Sequence, residues 1–225
     1  MIASYNNEDL DKLFTNIIPN EITREIVDFC KEIVPNSTPV KIPYEPEFGA
    51  VSGDCYINIE KKIKQSGGKI QYGWNIRQIN NLFLEAEFHA VWKSDSCELL
   101  DITPQESEAK HIIFLPDMKR EYQGRQVSNI FMNISGNTLI DDYISIFEAI
   151  FYMENKGGRA EQHGLVLNQY EIRIKMELVQ LSGFLLIQAQ TGKTKKDQCF
   201  CGSNEKYKHC HGKILHKHLK KIYSR

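Results

Sequence analysis

Gly53-Asp54-Cys55-Tyr56-Ile57-Asn58-Ile59-Glu60-Lys61-Lys62-Ile63-Lys64-Gln65-Ser66-Gly67-Gly68, residues 53–68, is the stretch on which the fold turns. Glycine and aspartate precede the cysteine. An amphipathic helical pattern follows, with Tyr56, Ile57 and Ile63 expected toward a core and a stop at Gly67-Gly68. A cysteine in the first turn of a helix meets unpaired backbone N–H groups and the positive end of the dipole, a setting that suits a nucleophile. Cys55 is therefore the candidate attacking group.

Downstream, KIQYGWNI (69–76) reads as a strand, and LFLEAEFHAVWKSDSCELLDITP (82–104) alternates through Glu87–Trp92 before a turn at Lys93–Cys97. Glu98–Ile102 is the expected returning strand. On such a hairpin His89 and Asp101 come adjacent, so that Asp101 orients the ring while His89 takes the Cys55 proton. Plainer roles fit the same residues: a packed cysteine, a satisfied sheet histidine and a turn-capping aspartate. Cys97 falls in the turn as a surface thiol, and Cys30 sits on the apolar side of a helix as core packing.

Upstream, residues 8–18 and 21–34 have apolar positions three and four apart, predicting two short helices separated at Pro19. PNSTPVKIPYEPEFGAVSG (35–53) reads as a wrap-around loop whose prolines exclude a continuous helix. Beyond the hairpin, 110–116 (KHIIFLP) is a further strand, and 129–134 a short one within a polar stretch. Lys119, Arg120 and Arg125 in that stretch read first as a solvated face, with contact to a substrate carboxylate or phosphate as the alternative. From Thr138 the period becomes helical. Residues 139–155 and 165–190 form a helical hairpin broken at Gly157-Gly158, which packs on the core or forms a homodimer surface.

The C-terminal segment carries Cys199-Phe200-Cys201-Gly202-Ser203, Lys206-Tyr207-Lys208 and Cys210-His211-Gly212. Three thiols and one imidazole within 13 residues make a complete tetrahedral set for one structural Zn²⁺. Cys199, Cys201, Cys210 and His211 are the expected ligands, joined to the rest by a flexible TGKTKKD tether (191–197) and followed by a short cationic helix. Residues 191–225 carry a formal charge of +8, against −9 for the preceding 190 residues. Such a cation favours an acidic protein face, ribosomal RNA or anionic lipid.

The CxCGS opening, the KYK centre and the CHG close resemble the SEC-C zinc module found at the C-terminus of the bacterial protein-export ATPase and appended to many other bacterial proteins. Phe200 stands where proline is common. The resemblance implies a zinc-stabilised adaptor surface that contacts other proteins or the ribosome. Separately, residues 45–116 resemble the transglutaminase-like branch of the papain-type fold, in which a cysteine opening a helix is followed by histidine and aspartate on consecutive antiparallel strands. The 34-residue and 12-residue spacings, the FHAVW strand and the Asp101-Ile102-Thr103-Pro104 ending carry that likeness. Tyr56 stands beside the nucleophile in place of the usual tryptophan. The oxyanion site then falls to the Cys55 N–H and one further group.

The expected fold class is α+β. A transglutaminase-like core with its N-terminal helices spans 1–136, a helical hairpin 137–190 and a zinc knuckle with a basic tail 191–225. No run of 18 apolar residues and no signal-peptide pattern at the start is present, and the six cysteines fit a reducing cytoplasm. Glycine-rich phosphate loops, dinucleotide fingerprints and HExxH pairs are absent. Two functions are consistent with these features. One is a cytoplasmic thiol enzyme (protease, deamidase or acyl transferase) acting on a protein or peptide through Cys55, His89 and Asp101. The other is a non-catalytic adaptor for a protein or ribosomal partner.

Overall fold

The computed structural model describes residues 18–105, 109–161 and 166–224. The helix expected over 8–18 lies almost wholly outside them. Helix α1 (Arg24–Ile33) follows the break at Pro19 and is capped by the Thr23 hydroxyl, which accepts from the Ile26 N–H. Strand β1 (Val40–Pro43) corrects the reading of 35–53 as loop alone. Proline forbids a helix there, but it is tolerated at the end of an edge strand. Helix α2 (Cys55–Ser66) starts at the cysteine and ends at Gly67, whose φ of 72° suits glycine. Strands β2 (Lys69–Ile79), β3 (Phe83–Lys93), β4 (Leu99–Leu100), β5 (His111–Pro116) and β6 (Ile130–Asn133) complete the sheet.

The strand order is β1-β5-β2-β3-β4, with β6 also pairing with β3. The β1–β5, β2–β5 and β3–β4 ladders are antiparallel, with Ile42 opposite Ile112, Asn75 opposite Phe114 and Trp92 opposite Leu100. The fold is thus α+β with an antiparallel sheet. The returning strand of the hairpin is shorter than the expected 98–102. At Asp101 the chain leaves β3 and bridges Tyr44 beyond β1, with the Asp101 N–H donating to the Pro43 carbonyl and the Glu45 N–H to the Asp101 carbonyl.

Two compact units divide the described residues: 18–80 with 84–132, and 81–83 with 133–224. In the first, Ile42, Val91, Ile112 and Phe114 form one apolar cluster, and Cys55, Ile59, Ala90 and Ile102 form another. Helix α2 therefore turns Cys55, Ile59 and Ile63 inward at four-residue spacing, and Ile57, expected in the core, is exposed.

The second unit contains α3 (Thr138–Glu154), α4 (Gln169–Gln190) and α5 (His211–Tyr223). Asn168 and Glu171 form a reciprocal cap at the start of α4, and Arg159 grips Glu171 with two bonds of 2.8 and 2.9 Å. Helices α3 and α4 pack on one another, and Ile140, Ile146 and Ala149 on the first and Leu178 and Leu185 on the second are buried. Among the described residues, no helix is long and apolar enough to cross a membrane.

Candidate active site and metal centre

Cys55 is the first residue of α2 and is 6% exposed. The preceding Asp54 adopts no side-chain cap bond, so it consumes none of the first-turn N–H groups around the thiol. Asn58, one turn on and buried, fastens this helix start. Its amide accepts from the Val51 N–H at 3.0 Å, donates to the Val51 carbonyl at 2.8 Å and reaches the Thr103 hydroxyl at 3.3 Å. One side chain thus ties the loop before Cys55 to the segment after Asp101.

His89 projects from β3 and is buried with Asp101, which is fully inaccessible. The His89 Nε2 to Asp101 Oδ1 distance is 3.1 Å. Burial alone would push the imidazole down, but the charge and hydrogen bond of Asp101, joined by interaction with Cys55, raise it to about 10. Asp101 holds Nε2, which leaves Nδ1 for the thiol. The structure therefore brings the three predicted residues into one buried region. Ala90 and Ile102, the sequence neighbours of His89 and Asp101, belong with Cys55 to one buried apolar cluster.

Around the thiol stands an aromatic group. Tyr56 stacks on Tyr122 with ring centroids 3.9 Å apart and lies near Tyr72 and Phe88. Burial, then the neighbouring Cys55, holds the Tyr56 phenol in its protonated form. Arg120, assigned first to a solvated face, lies with its guanidinium over the Trp74 and Phe88 rings. The other cysteines behave as expected. Cys30 is fully buried and burial pushes its thiol up to about 12, while Cys97 is exposed in the hairpin turn.

Sequence reasoning passed over Asn58 and Gln105. Asn58 lies one turn from Cys55 on the same helix face, and a polar residue on an apolar face was its available signal. Gln105 reaches Asp101 Oδ2 at 2.5 Å and had no such signal, since it lies beyond the strand.

In the second unit, Cys199, Cys201, Cys210 and His211 present one ligand atom each, all within 4.8 Å of one another. Cys199 Sγ is 3.2 Å from His211 Nδ1, Cys210 Sγ is 3.5 Å from the same nitrogen, and the Cys201 and Cys210 sulfurs are 3.5 Å apart. A tetrahedral site with metal–sulfur bonds of about 2.3 Å and a metal–nitrogen bond of about 2.0 Å spaces its ligands by about 3.5–3.8 Å. The donor set therefore fits a metal ion. Burial pushes His211 down, in the direction of the neutral ring that ligates a metal.

The segment between the helices and this cluster is bonded, in contrast to the flexible tether expected over 191–197. Lys195 Nζ donates to Asp142 Oδ1 at 2.7 Å, Thr194 bonds Asp197 through its N–H and its hydroxyl, and Asn137 donates to the Lys193 carbonyl. Phe200 lies between the stacked ring of Phe184 on α4 and His211 of the Cys/His cluster. Gly212 opens α5 against Tyr207, where a Cβ would approach the Tyr207 ring and carbonyl to 3.1 Å.

Residues 196–213 match the SEC-C motif, which covers the Cys/His cluster. No curated protein and no solved structure matches the chain.

Proposed function

We propose that the first unit is a thiol enzyme of transglutaminase-like type that cleaves or transfers amide bonds of a protein or peptide, and that the C-terminal segment holds one structural Zn²⁺. The supporting observation is the convergence of Cys55 at a helix start with His89 and its 3.1 Å bond to Asp101 in one buried cluster. Cys55 Sγ attacks the amide carbonyl carbon after His89 Nδ1 has accepted the thiol proton. The negative charge formed on the oxygen falls near the first-turn N–H groups of α2. His89 then passes its proton to the departing nitrogen, leaving a thioester on Cys55 and releasing an amine or ammonia. Water, or a second amine in transfer, attacks the thioester as His89 accepts its proton. Asp101 keeps the ring oriented and offsets its positive charge throughout.

For the metal, Cys199, Cys201, Cys210 and His211 fill four positions, so that the bound ion supplies structural cross-linking and leaves no open position for substrate.

Labelling with iodoacetamide near neutral pH tests the enzyme reading. An inert buried thiol reacts more slowly than an exposed one, so Cys97 is the proper reference. Cys55 should react faster than exposed Cys97, and His89→Ala should abolish the advantage. Slower labelling of Cys55 than of Cys97 rejects the proposal.

A second reading, the non-catalytic adaptor, draws on Ile172, Met176 and Val179, which form an exposed apolar stripe at helical spacing on α4. Under that reading, partner capture survives Cys55→Ser and is lost with Cys210→Ser.

A further inference from the structure

A fully buried carboxylate stays ionised only if donors replace its lost water. Asp101 has three. His89 Nε2 and the Thr103 N–H each lie 3.1 Å from Oδ1, and Gln105 Nε2 lies 2.5 Å from Oδ2. Among the described residues, Gln105 is the one side chain that donates to Oδ2.

Gln105 is itself fastened from two sides. Its backbone N–H donates to the Tyr44 hydroxyl at 2.9 Å, and its Oε1 accepts from Asn75 Nδ2 at 3.4 Å. Asn75 is fully buried on β2, and its Oδ1 has no hydrogen-bond partner among the described residues. Turning the Asn75 amide over would set its oxygen against the Gln105 oxygen. Turning Gln105 over would set an oxygen against the Asp101 carboxylate. The row of amides therefore has one favourable direction, with the N–H groups aimed at Asp101.

We propose that Gln105 is a positioning residue for the His89 base, an inference that rests on the triad reading above. By donating to Oδ2 it fixes the plane of the carboxylate, so that Oδ1 accepts the Nε2 proton of His89 and Nδ1 is left facing Cys55. Without that donor the carboxylate is free to turn away from Nε2, the imidazole loses its fixed orientation, and the base no longer points at the thiol. Asn75 acts one step back, by fixing which end of the Gln105 amide meets the carboxylate. Among the described residues, Tyr56 and Tyr72 are further ionisable groups beside Cys55, and burial raises both phenols, so neither supplies a negative charge there.

The experiment measures iodoacetamide alkylation of Cys55 in the full-length protein from about pH 5 to about pH 10, for wild type, His89→Ala, Gln105→Leu and Gln105→Glu. Near-ultraviolet circular dichroism checks the fold, and Gln105→Met replaces the leucine variant if that one does not fold. Both Gln105 variants should lower the neutral-pH rate by about tenfold or more and move the midpoint of the profile upward by about one pH unit. The Glu variant has the shape of Gln but presents an acceptor, so a donor role requires it to be as impaired as Leu. A merely structural role leaves it near wild type.

If wild-type Cys55 outpaces Cys97, His89→Ala is slow and folded Gln105→Glu keeps the wild-type profile, the role of Gln105 is overturned and the triad stands. If wild-type Cys55 is no faster than Cys97, both fall.

Discussion

Tyr207, at the centre of the metal-binding segment, donates its hydroxyl to Asp142 of α3 at 3.0 Å, and Lys195 grips the other oxygen of the same carboxylate. Asp142 is 4% exposed and Tyr207 is 3% exposed, so the pair is fixed out of water. The consequence is that the segment carrying the Cys/His cluster is built into its helical unit. Phe200 adds a second attachment through its stack on Phe184, 4.5 Å between centroids. An arm meant to swing freely on a tether has no use for such contacts.

Asp142→Ala should therefore destabilise this unit by about 1–3 kcal/mol, because it leaves a buried phenol and a half-buried ammonium without their acceptor. Asp142→Asn retains an acceptor for one of them and should lose less. Thermal unfolding of the two variants against wild type measures the difference. A wild-type melting temperature for Asp142→Ala would show that the pair contributes nothing.

Chelation makes a related prediction with a spatial readout. Elemental analysis should find about one zinc per chain, and its removal should unlock the four ligands together. Hydrogen exchange should then rise over 197–215 and also in α4 around Phe184, which loses its stack on Phe200. Exchange over 18–80 and 84–132 should stay as it was. If the rise stops at 197–215, the aromatic attachment plays no part in holding α4.

Much of this arrangement was legible because its signals are local. Helix α2 begins at Cys55 and stops at Gly67 as the glycines and the apolar spacing imply. The four candidate metal ligands lie within 13 residues, so their convergence needs only two turns. What escaped depends on packing between distant segments. Asp142 falls in a helix recognised from its apolar spacing alone, and nothing near it in sequence announces Lys195 or Tyr207, 53 and 65 residues away. Ile57 was misplaced because its helix turns Cys55 and Ile59 inward, a choice set by Ala90 and Ile102. The position of Asp101 was only partly readable. The hairpin register, with Trp92 opposite Leu100, brings it near β3, but its backbone bonds go to Pro43 and Glu45.

Gly73 supplies a prediction that no local pattern contained. It lies on β2 opposite Pro116, and a Cβ there would come within 2.3 Å of the Leu115 carbonyl and 2.5 Å of the Phe114 ring. Phe114 is fully buried and cannot swing aside. Gly73→Ala should cost about 2–4 kcal/mol as β2 and β5 are forced apart. Gly124→Ala, where a Cβ would meet nothing but the backbone has a φ of 77°, should cost about 1 kcal/mol. Urea unfolding of the two variants compares them. Equal losses would mean that the β2–β5 ladder yields without strain.

The last prediction concerns pH and His89. Its folded value lies near 10, above the ordinary 6.5, because the Asp101 charge and hydrogen bond overcome the opposing effect of burial. A raised value means that the folded state holds the proton more tightly than the unfolded state. The resulting stability is fully present below about pH 6.5 and is lost as pH rises toward about 10. His89→Gln removes the titrating group while leaving the remaining cysteines, tyrosines and lysines in place. Urea midpoints of wild type and variant, measured from about pH 6 to about pH 10, should therefore differ most at the acid end and converge at the alkaline end. Below pH 6.5 the wild type should be the more stable, since the variant leaves Asp101 buried without its cationic partner. A gap that stays constant across the range would mean that folding brings no net proton uptake at His89.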